Sequence, residues 1–242
     1  MPGTRFDHIA IGLQLIADAP ATLAGVLGGQ PDKGMNRPAF NWATWRFAGG
    51  GVVEILEPAG RDGFMHRFLA SRGPGIHHVT FTVPSLAAAC ARARAQGYQI
   101  VGLDDSDPGW KEAFLHPKQA QGIVVQLAES SGDGEARRPP PPGPPDPPPP
   151  VTLVGLRLAA RSREGARRQW EQVLEGTARE GAGGELIYRW PDSPMRLVVE
   201  IDDAAAEGPL AIEIASDRAV ALPDGPHPVL GAVFRRVTPG DA

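Results

Sequence analysis

The chain has 242 residues, of which 42% are hydrophobic and 21% charged, and its formal net charge is −4. This length allows one large domain or two small ones, and the charge balance gives no basic signature of nucleic-acid binding. A single cysteine, Cys90, excludes an intramolecular disulfide. No signal-peptide pattern and no apolar run of the ~18–20 residues that cross a membrane is present, so we expect a cytoplasmic protein that binds neither nucleic acid nor membrane.

The first part of the chain, residues 1–129, begins with a strand, a short helix and two further strands. Alternating hydrophobicity predicts strands over 6–13, 40–47 and 51–58, with a glycine turn between the last two. Between the first two strands, Asp18 is the predicted N-cap of a short helix. One strand of this half stays unassigned.

The same order of elements follows a second time. A helix is predicted to begin after Ser85 and to end just before Gly97, because these are typical capping residues. The predicted elements of this half are the strand 75–83, the helix 85–97, and the strands YQIVGL, KEAFLHP and 122–129. The paired order β-α-β-β-β indicates a repeated module.

Prolines dominate the next stretch, RRPPPPGPPDPPPP, at residues 137–150. Proline lacks the backbone donor and fixes φ, so the stretch favours polyproline II over helix or sheet. We interpret 130–150 as a linker, and the alternative is a ligand for proline-recognition domains.

The last part, residues 151–242, reads as a degenerate copy of the first. The tetrapeptide Val-Val-Glu-Ile occurs at 52–55 and again at 198–201, at matching places in the order of elements. A fourth module would be truncated, because too few residues separate its strands. The sequence therefore predicts an α+β protein of paired βαβββ modules, with an intact pair followed by a degenerate pair.

Several strands of the first part have one apolar face and one mixed face, since successive side chains point to opposite sides. In four of them the mixed face carries a single strong ligand-type side chain: His8, Glu54, His78 and Gln126. Two imidazoles, a carboxylate and an amide oxygen suit Zn, Co, Ni, Mn or Fe, with water completing the shell. These residues are the predicted metal ligands, provided that the sheet curls so that the four strands converge.

Strand parity also separates the two adjacent histidines of GIHHVTF. His78 shares its face with Thr80 and Thr82, whereas His77 shares its face with the apolar side chains. His78 is therefore the candidate ligand, Thr80 a candidate substrate contact, and His77 a structural residue.

These residues occur in segments that resemble the vicinal oxygen chelate superfamily, which includes glyoxalases, bleomycin-resistance proteins and dioxygenases. The segments DHIAIG, VEILEPAGRDGFMHRFLASRGPGIHHVTFTV, FLHPK and GIVVQL are most similar to the methylmalonyl-CoA epimerase-like branch, in the same order, over about residues 5–129. The resemblance implies glyoxalase-like modules around a divalent metal, with the ligands at His8, Glu54, His78 and Gln126.

Two positions depart from the pattern of that branch. The last ligand is usually Glu and here is Gln126, so Glu54 would supply the carboxylate and is also the candidate catalytic residue. The branch also has an acid on the strand before VEILEP, and here that strand, FNWATWRF, has none. Its Trp42 and Trp45 offer bulk for substrate binding but no base at neutral pH.

Further candidate residues lie in FLHPK and in the C-terminal part. His116 and Lys118 are either turn residues or line the substrate mouth and meet an anionic group. In the C-terminal part, the positions that match the ligands are Gly155, Glu200, Ala211 and Arg235. Only one of these could ligate, so we expect the metal site to be lost there.

We therefore expect a metal-dependent enzyme that acts on a small carbonyl or acyl-thioester substrate through an enolate, as an isomerase or a glyoxalase-I-like lyase. One alternative is an Fe(II) ring-cleaving dioxygenase, because two histidines and a carboxylate form its facial triad. The other is a non-catalytic small-molecule-binding protein with the tryptophans as a stacking wall. The sheet could close within one chain or across a homodimer.

Overall fold

The structure is a computed structural model that describes residues 3–131 and 139–238. The fold is mixed α+β with two sheets and few helices, as the sequence predicts. Part of the predicted linker, residues 132–138, lies outside the described residues. Within the parts that are described, no helix is long and apolar enough to cross a bilayer.

The first module contains the predicted elements and the strand that the sequence left unassigned, which is β2. The bounds are β1 (Arg5–Gly12), α1 (Pro20–Leu23), β2 (Gln30–Asn36), β3 (Phe40–Arg46) and β4 (Val52–Pro58). Asp18 lies in a 3₁₀ turn, and Ala19 precedes α1 without a side-chain cap, so the prediction of an Asp18 N-cap is wrong. Pro20 begins the helix and has no N–H, which reduces the need for a capping acceptor.

The second module follows a helix that the prediction missed, α2 (Phe64–Arg72). Aromatic residues four apart in FMHRF, Phe64 and Phe68, were a helical signal for it. The bounds are β5 (Gly75–Thr82), α3 (Leu86–Ala95), β6 (Ile100–Asp104), β7 (Trp110–Leu115) and β8 (Val124–Ser130). Ser85 caps α3 as predicted, and its Oγ accepts the N–H of Ala88 at 3.3 Å.

The C-terminal part contains a third module and the two strands of a truncated fourth. The bounds are β9 (Thr152–Ala160), α4 (Arg163–Arg167), a π-helical turn (Arg168–Val173), β10 (Thr177–Glu180), β11 (Leu186–Arg189), β12 (Arg196–Ile201), β13 (Gly208–Ala215) and β14 (Phe234–Arg236). Strand β10 has only four residues and no apolar alternation, so no local pattern predicts it.

The first sheet has eight strands in the order β2-β3-β4-β1-β5-β8-β7-β6, and the second has six in the order β10-β11-β12-β9-β13-β14. Within each of the first three modules, the first strand runs parallel to the last, and the last runs antiparallel to the one before it. The apolar faces of β1 and β4 are fully buried, including Ile9, Ile11, Val53 and Ile55.

The described residues cluster into two compact units, and each joins segments that are distant in sequence. One unit contains residues 3–7, 78–131 and 155–210. Its core includes an aromatic cluster in which the Phe81 ring lies 5.0 Å from Phe6, 4.7 Å from Trp190 and 6.0 Å from Trp170, measured between ring centroids.

The other unit contains residues 8–77, 139–154 and 211–238, so it includes the described end of the proline-rich segment. That segment packs on the first module: the N–H of Val151 donates to the Leu27 carbonyl at 2.9 Å, and Arg218 donates to the carbonyls of Pro149 at 3.0 Å and Val26 at 2.8 Å. These contacts hold residues 149–151 against Val26 and Leu27, which follow α1.

Replacing Gly28 with alanine should report directly on this contact. Gly28 has φ +73°, and an added Cβ would collide with the Pro148 carbonyl oxygen. We expect a loss of about 1–2 kcal/mol from the left-handed backbone and a further ~1–3 kcal/mol from overpacking. Gly97 has φ +85° with nothing within 4 Å, so Gly97→Ala should show only the backbone cost. Equal urea-unfolding losses in the two variants would contradict the packing of this segment.

Candidate metal centre

His8 and Glu54 lie on neighbouring parallel strands, β1 and β4. Ala10 is the register partner of Glu54, and His8 is two residues before Ala10, so both side chains point to the same face. The His8 Nε2 atom lies 3.4 Å from Glu54 Oε2, and both side chains are buried. This face is the one that strand parity assigned to the predicted ligands.

His78 and Gln126 occupy the corresponding face of β5 and β8. Val124 is the register partner of His78, and Gln126 that of Thr80. The Thr80 hydroxyl donates a hydrogen bond of 2.6 Å to Gln126 Oε1, and all three polar side chains are buried. The Thr80 hydroxyl of β5 therefore restrains the position of the Gln126 oxygen of β8.

A carboxylate that the sequence analysis overlooked holds the other end of the Gln126 amide. Gln126 Nε2 donates to Glu112 Oε2 at 2.6 Å, and Trp110 Nε1 donates to the same oxygen at 2.9 Å. Phe114 is the register partner of Gln126, so Glu112, two residues away on β7, shares this face. Alternation along WKEAFL places Glu112 and Phe114 on one face, and this was a sequence signal for Glu112.

His8, Glu54 and His78 form a group that could hold a metal ion. Each offers one ligand atom, these atoms lie within 4.8 Å of one another, and all three residues are buried. Two imidazole nitrogens and one carboxylate oxygen form a donor set typical of Zn²⁺, Fe²⁺ and related divalent ions. Three of the four predicted ligands thus form this group, and the oxygen of the fourth, Gln126, accepts the Thr80 hydroxyl.

The neighbouring His77 has a different environment. Its ring lies 4.8 Å from the Phe68 ring and 5.5 Å from the Phe64 ring of α2, measured between centroids. Burial disfavours the charged ring, and Arg72 repels its charge, so the pKa of His77 falls from 6.5 to about 4. His77 is therefore a neutral, packed side chain at neutral pH.

The depressed pKa of His77 predicts a pH-dependent stability. Below pH 6.5 His77 of the unfolded chain binds a proton that the folded chain does not take up until about pH 4. The contribution of neutral His77 to the free energy of unfolding is therefore complete above pH 6.5 and is lost as the pH falls to about 4. In His77→Phe, the loss of urea-unfolding free energy between pH 7 and pH 4.5 should be smaller than in the wild type. An equal loss in both proteins would show that His77 does not carry this effect.

Helix α2 covers one end of the ligand face of the first module. Ala10 and Leu56, which share the face of His8 and Glu54, pack against Met65 and Leu69 of α2. The partly buried side chains of Phe40, Trp42 and Phe68 pack against this cluster. An apolar wall therefore lies beside the two ligand strands.

Besides Thr80, the four predicted substrate-binding residues fall in three places. Trp42 pairs with Leu56 and belongs to the apolar wall, whereas Trp45 pairs with Val53 on the opposite, fully buried face. His116 and Lys118 are exposed in the turn after β7, where His116 Nδ1 accepts the N–H of Lys118 at 3.2 Å. Both had been predicted to bind substrate, although strand parity would have placed them on opposite faces.

The third module shows what replaced the ligands there. Glu200 pairs with Ala159 as Glu54 pairs with Ala10, so Arg157, rather than the predicted Gly155, occupies the position of His8. Arg157 Nη1 lies 2.7 Å from Glu200 Oε1. The predicted match of Gly155 to His8 was therefore wrong by two residues, because only strand pairing determines the register. A guanidinium–carboxylate pair thus stands where the first module has its histidine and glutamate.

Comparison with known proteins agrees with this architecture. Residues 7–114 match the family model of the glyoxalase/bleomycin resistance protein/dioxygenase superfamily. The uncharacterized protein YqjC of Bacillus subtilis is 33% identical over 136 residues, which cover 53% of this chain and 94% of that protein. The chain belongs to this superfamily.

One further relative and one solved structure extend the comparison. Human mitochondrial methylmalonyl-CoA epimerase is 26% identical over 130 residues, which cover 52% of this chain and 74% of that protein. A structure of a variant of 4-hydroxymandelate synthase from Streptomyces coelicolor covers 90% of this chain and 72% of its own, with a TM-score of 0.61 and 13% identity. At that identity the second likeness concerns the fold alone, and it extends to the C-terminal part.

Proposed function

We propose that the protein is a metal-dependent enzyme that acts on a small carbonyl or acyl-thioester substrate through an enolate-type intermediate. The observation that carries this proposal is the buried group of His8, Glu54 and His78, whose ligand atoms lie within 4.8 Å of one another. The methylmalonyl-CoA epimerases among its relatives support an acyl-thioester as the first substrate to test.

The three residues would hold one divalent ion, with Gln126 as a weaker, neutral fourth ligand. A bound divalent ion stabilises negative charge that develops on a substrate oxygen. Glu54 contributes the anionic ligand, and the Thr80 hydroxyl, through its 2.6 Å hydrogen bond, restrains the Gln126 oxygen. Rigid placement of these groups lowers the reorganisation that the reaction requires.

Glu112 is our candidate for the group that accepts the substrate proton. Strand β3 carries no acid, whereas Glu112 lies on the ligand face of β7, the corresponding strand of the second module. Both of its hydrogen bonds go to Oε2, and Oε1 accepts none from residues 3–131 or 139–238. That oxygen is available for a proton, since a carboxylate within reach of a substrate can act as a general base.

The experiment is α-proton exchange of methylmalonyl-CoA in D₂O, followed by NMR with metal-loaded, chelated and reloaded protein. We expect exchange only in the loaded forms and a loss of about 10²–10⁴-fold in Glu112→Gln. The metal content of that variant should be unchanged, and the exposed Glu164→Gln serves as the control. Freshly purified and reloaded protein that binds no metal would contradict the proposal.

A non-catalytic binding role is the second candidate, and the apolar wall of Phe40, Trp42 and Phe68 favours it. Aromatic side chains in such a wall contribute affinity for a flat, apolar ligand without chemistry. Metal-loaded protein that binds acyl-thioesters without exchange in any loaded form would favour this role. Oxygen consumption by the Fe²⁺-loaded form with an aromatic diol would instead indicate the dioxygenase alternative.

A further inference from the structure

One face of the strands β10, β11, β12 and β9 is lined with arginine side chains. Arg189 of β11 and Arg196 of β12 are direct register partners. Two residues along these strands, Ile187 pairs with Val198 on the same face. Ile187 also pairs with Arg179 of β10, and Val198 pairs with Arg157 of β9, so these two arginines share that face. Side chains of directly paired residues share a face. Four guanidinium groups therefore belong to one side of this sheet.

Two of these arginines are engaged within the protein. Arg157 pairs with Glu200 at 2.7 Å, and its side chain is only 12% exposed. Arg196 is buried and also has contacts of its own. The charge of Arg157 is therefore compensated, and both guanidinium groups are held within the protein, on the face where the first module has His8 and Glu54.

Arg189 differs from them because its charge is not compensated. It is partly buried, and it has no hydrogen-bond acceptor or ion pair among the residues that the structure describes. Burial lowers its pKa, and the charges of Arg196 and Arg179 lower it further. Holding a guanidinium in such a place is unfavourable unless an anion approaches it.

The surroundings of Arg189 strengthen its attraction for an anion. Ile187 and Val198, which lie on the same face, are 6% and 0% exposed, so the arginines surround an apolar floor. Electrostatic attraction is stronger beside apolar groups than in open water. A guanidinium also presents a planar fork of donors that matches phosphate and carboxylate oxygens.

We propose that this face of the C-terminal part binds a small molecule through an oxyanion, a phosphoryl or carboxylate group, with Arg189 as the main contact and Arg179 as the second. The site is independent of the metal centre and gives the degenerate module a binding role. It differs from the predicted turn contact at His116 and Lys118, which lies in the second module.

The test is calorimetric titration of the full chain in EDTA, at about 0.15 M salt so that weak surface attraction is screened. Pyrophosphate and malonate are titrated separately, because one reports a phosphoryl and the other a carboxylate ligand. We expect saturable binding with one site per chain for at least one of them. Arg189→Met should weaken it by at least about 10-fold, and Arg179→Met by less.

The control is Arg94→Met, which removes an exposed arginine of α3. Without ligand, Arg189→Met should unfold at the same temperature as the wild type or higher, because a partly buried charge that no described residue pairs with is removed. No saturable binding of either anion, or equal binding by the Arg189 and Arg94 variants, would overturn the site. Since EDTA is present throughout, these results are independent of whether the proposed metal centre forms.

Discussion

Replacing His78 with alanine is expected to abolish stoichiometric metal binding, whereas replacing the adjacent His77 should leave it intact. His78 provides one of the three ligand atoms that lie within 4.8 Å of one another. Losing an outer-shell partner of a metal ligand typically weakens affinity by about 10–100-fold, and losing a ligand should exceed the upper end of that range. His77 instead packs against aromatic rings of α2 and should not bind the ion.

The measurement is metal content after dialysis, together with titration of Co²⁺ into chelated protein. Co²⁺ is suitable because its visible absorption reports the number and geometry of its ligands. Circular dichroism of both variants establishes that they are folded. Equal metal loss in the His77 and His78 variants would contradict the assignment of His78 as the ligand from strand parity.

Phe81→Ala is expected to lower the free energy of unfolding by about 3–5 kcal/mol. The side chain is fully buried, and its ring contacts Phe6, Trp170 and Trp190. These partners come from the N-terminal strand and from the C-terminal part of the chain. The cavity left by the missing ring would therefore weaken packing among segments that are far apart in sequence.

The loss is measured by urea unfolding followed by tryptophan fluorescence, because two tryptophans lie in the cluster. Leu103→Ala, in the same unit and 53% exposed, serves as the matched truncation and should stay within about 0.5 kcal/mol of the wild type. Similar losses in the two variants would show that the aromatic cluster does not organise this core.

The sequence by itself was sufficient to predict the strands that carry the candidate metal ligands. Alternation with a period of two is a local property, so β1, β4, β5 and β8 could be recognised from short windows. The same alternation placed His8, Glu54, His78 and Gln126 on one kind of face and separated His77 from His78. Capping chemistry is equally local, which explains why Ser85 was recognised correctly.

Strands and helices with weak local sequence signals could be identified only in the structure. Strand β10 has four residues without apolar alternation, and β2 contains Pro31 and Gly34 with an irregular register between them. Helix α2 has its apolar residues on a face that only packing against Ala10 and Leu56 explains. Propensity and periodicity do not determine elements that tertiary contacts stabilise.

The register between strands and the hydrogen-bond partners of side chains were decided by the tertiary structure alone. Only strand pairing shows that Arg157 stands at the position of His8, and only contacts between β7 and β8 join Glu112 to Gln126. The sequence determined which side chains share a face within one strand. Which strands neighbour one another, and in what register, depends on hydrogen bonds between residues far apart in the chain, and no local pattern records them.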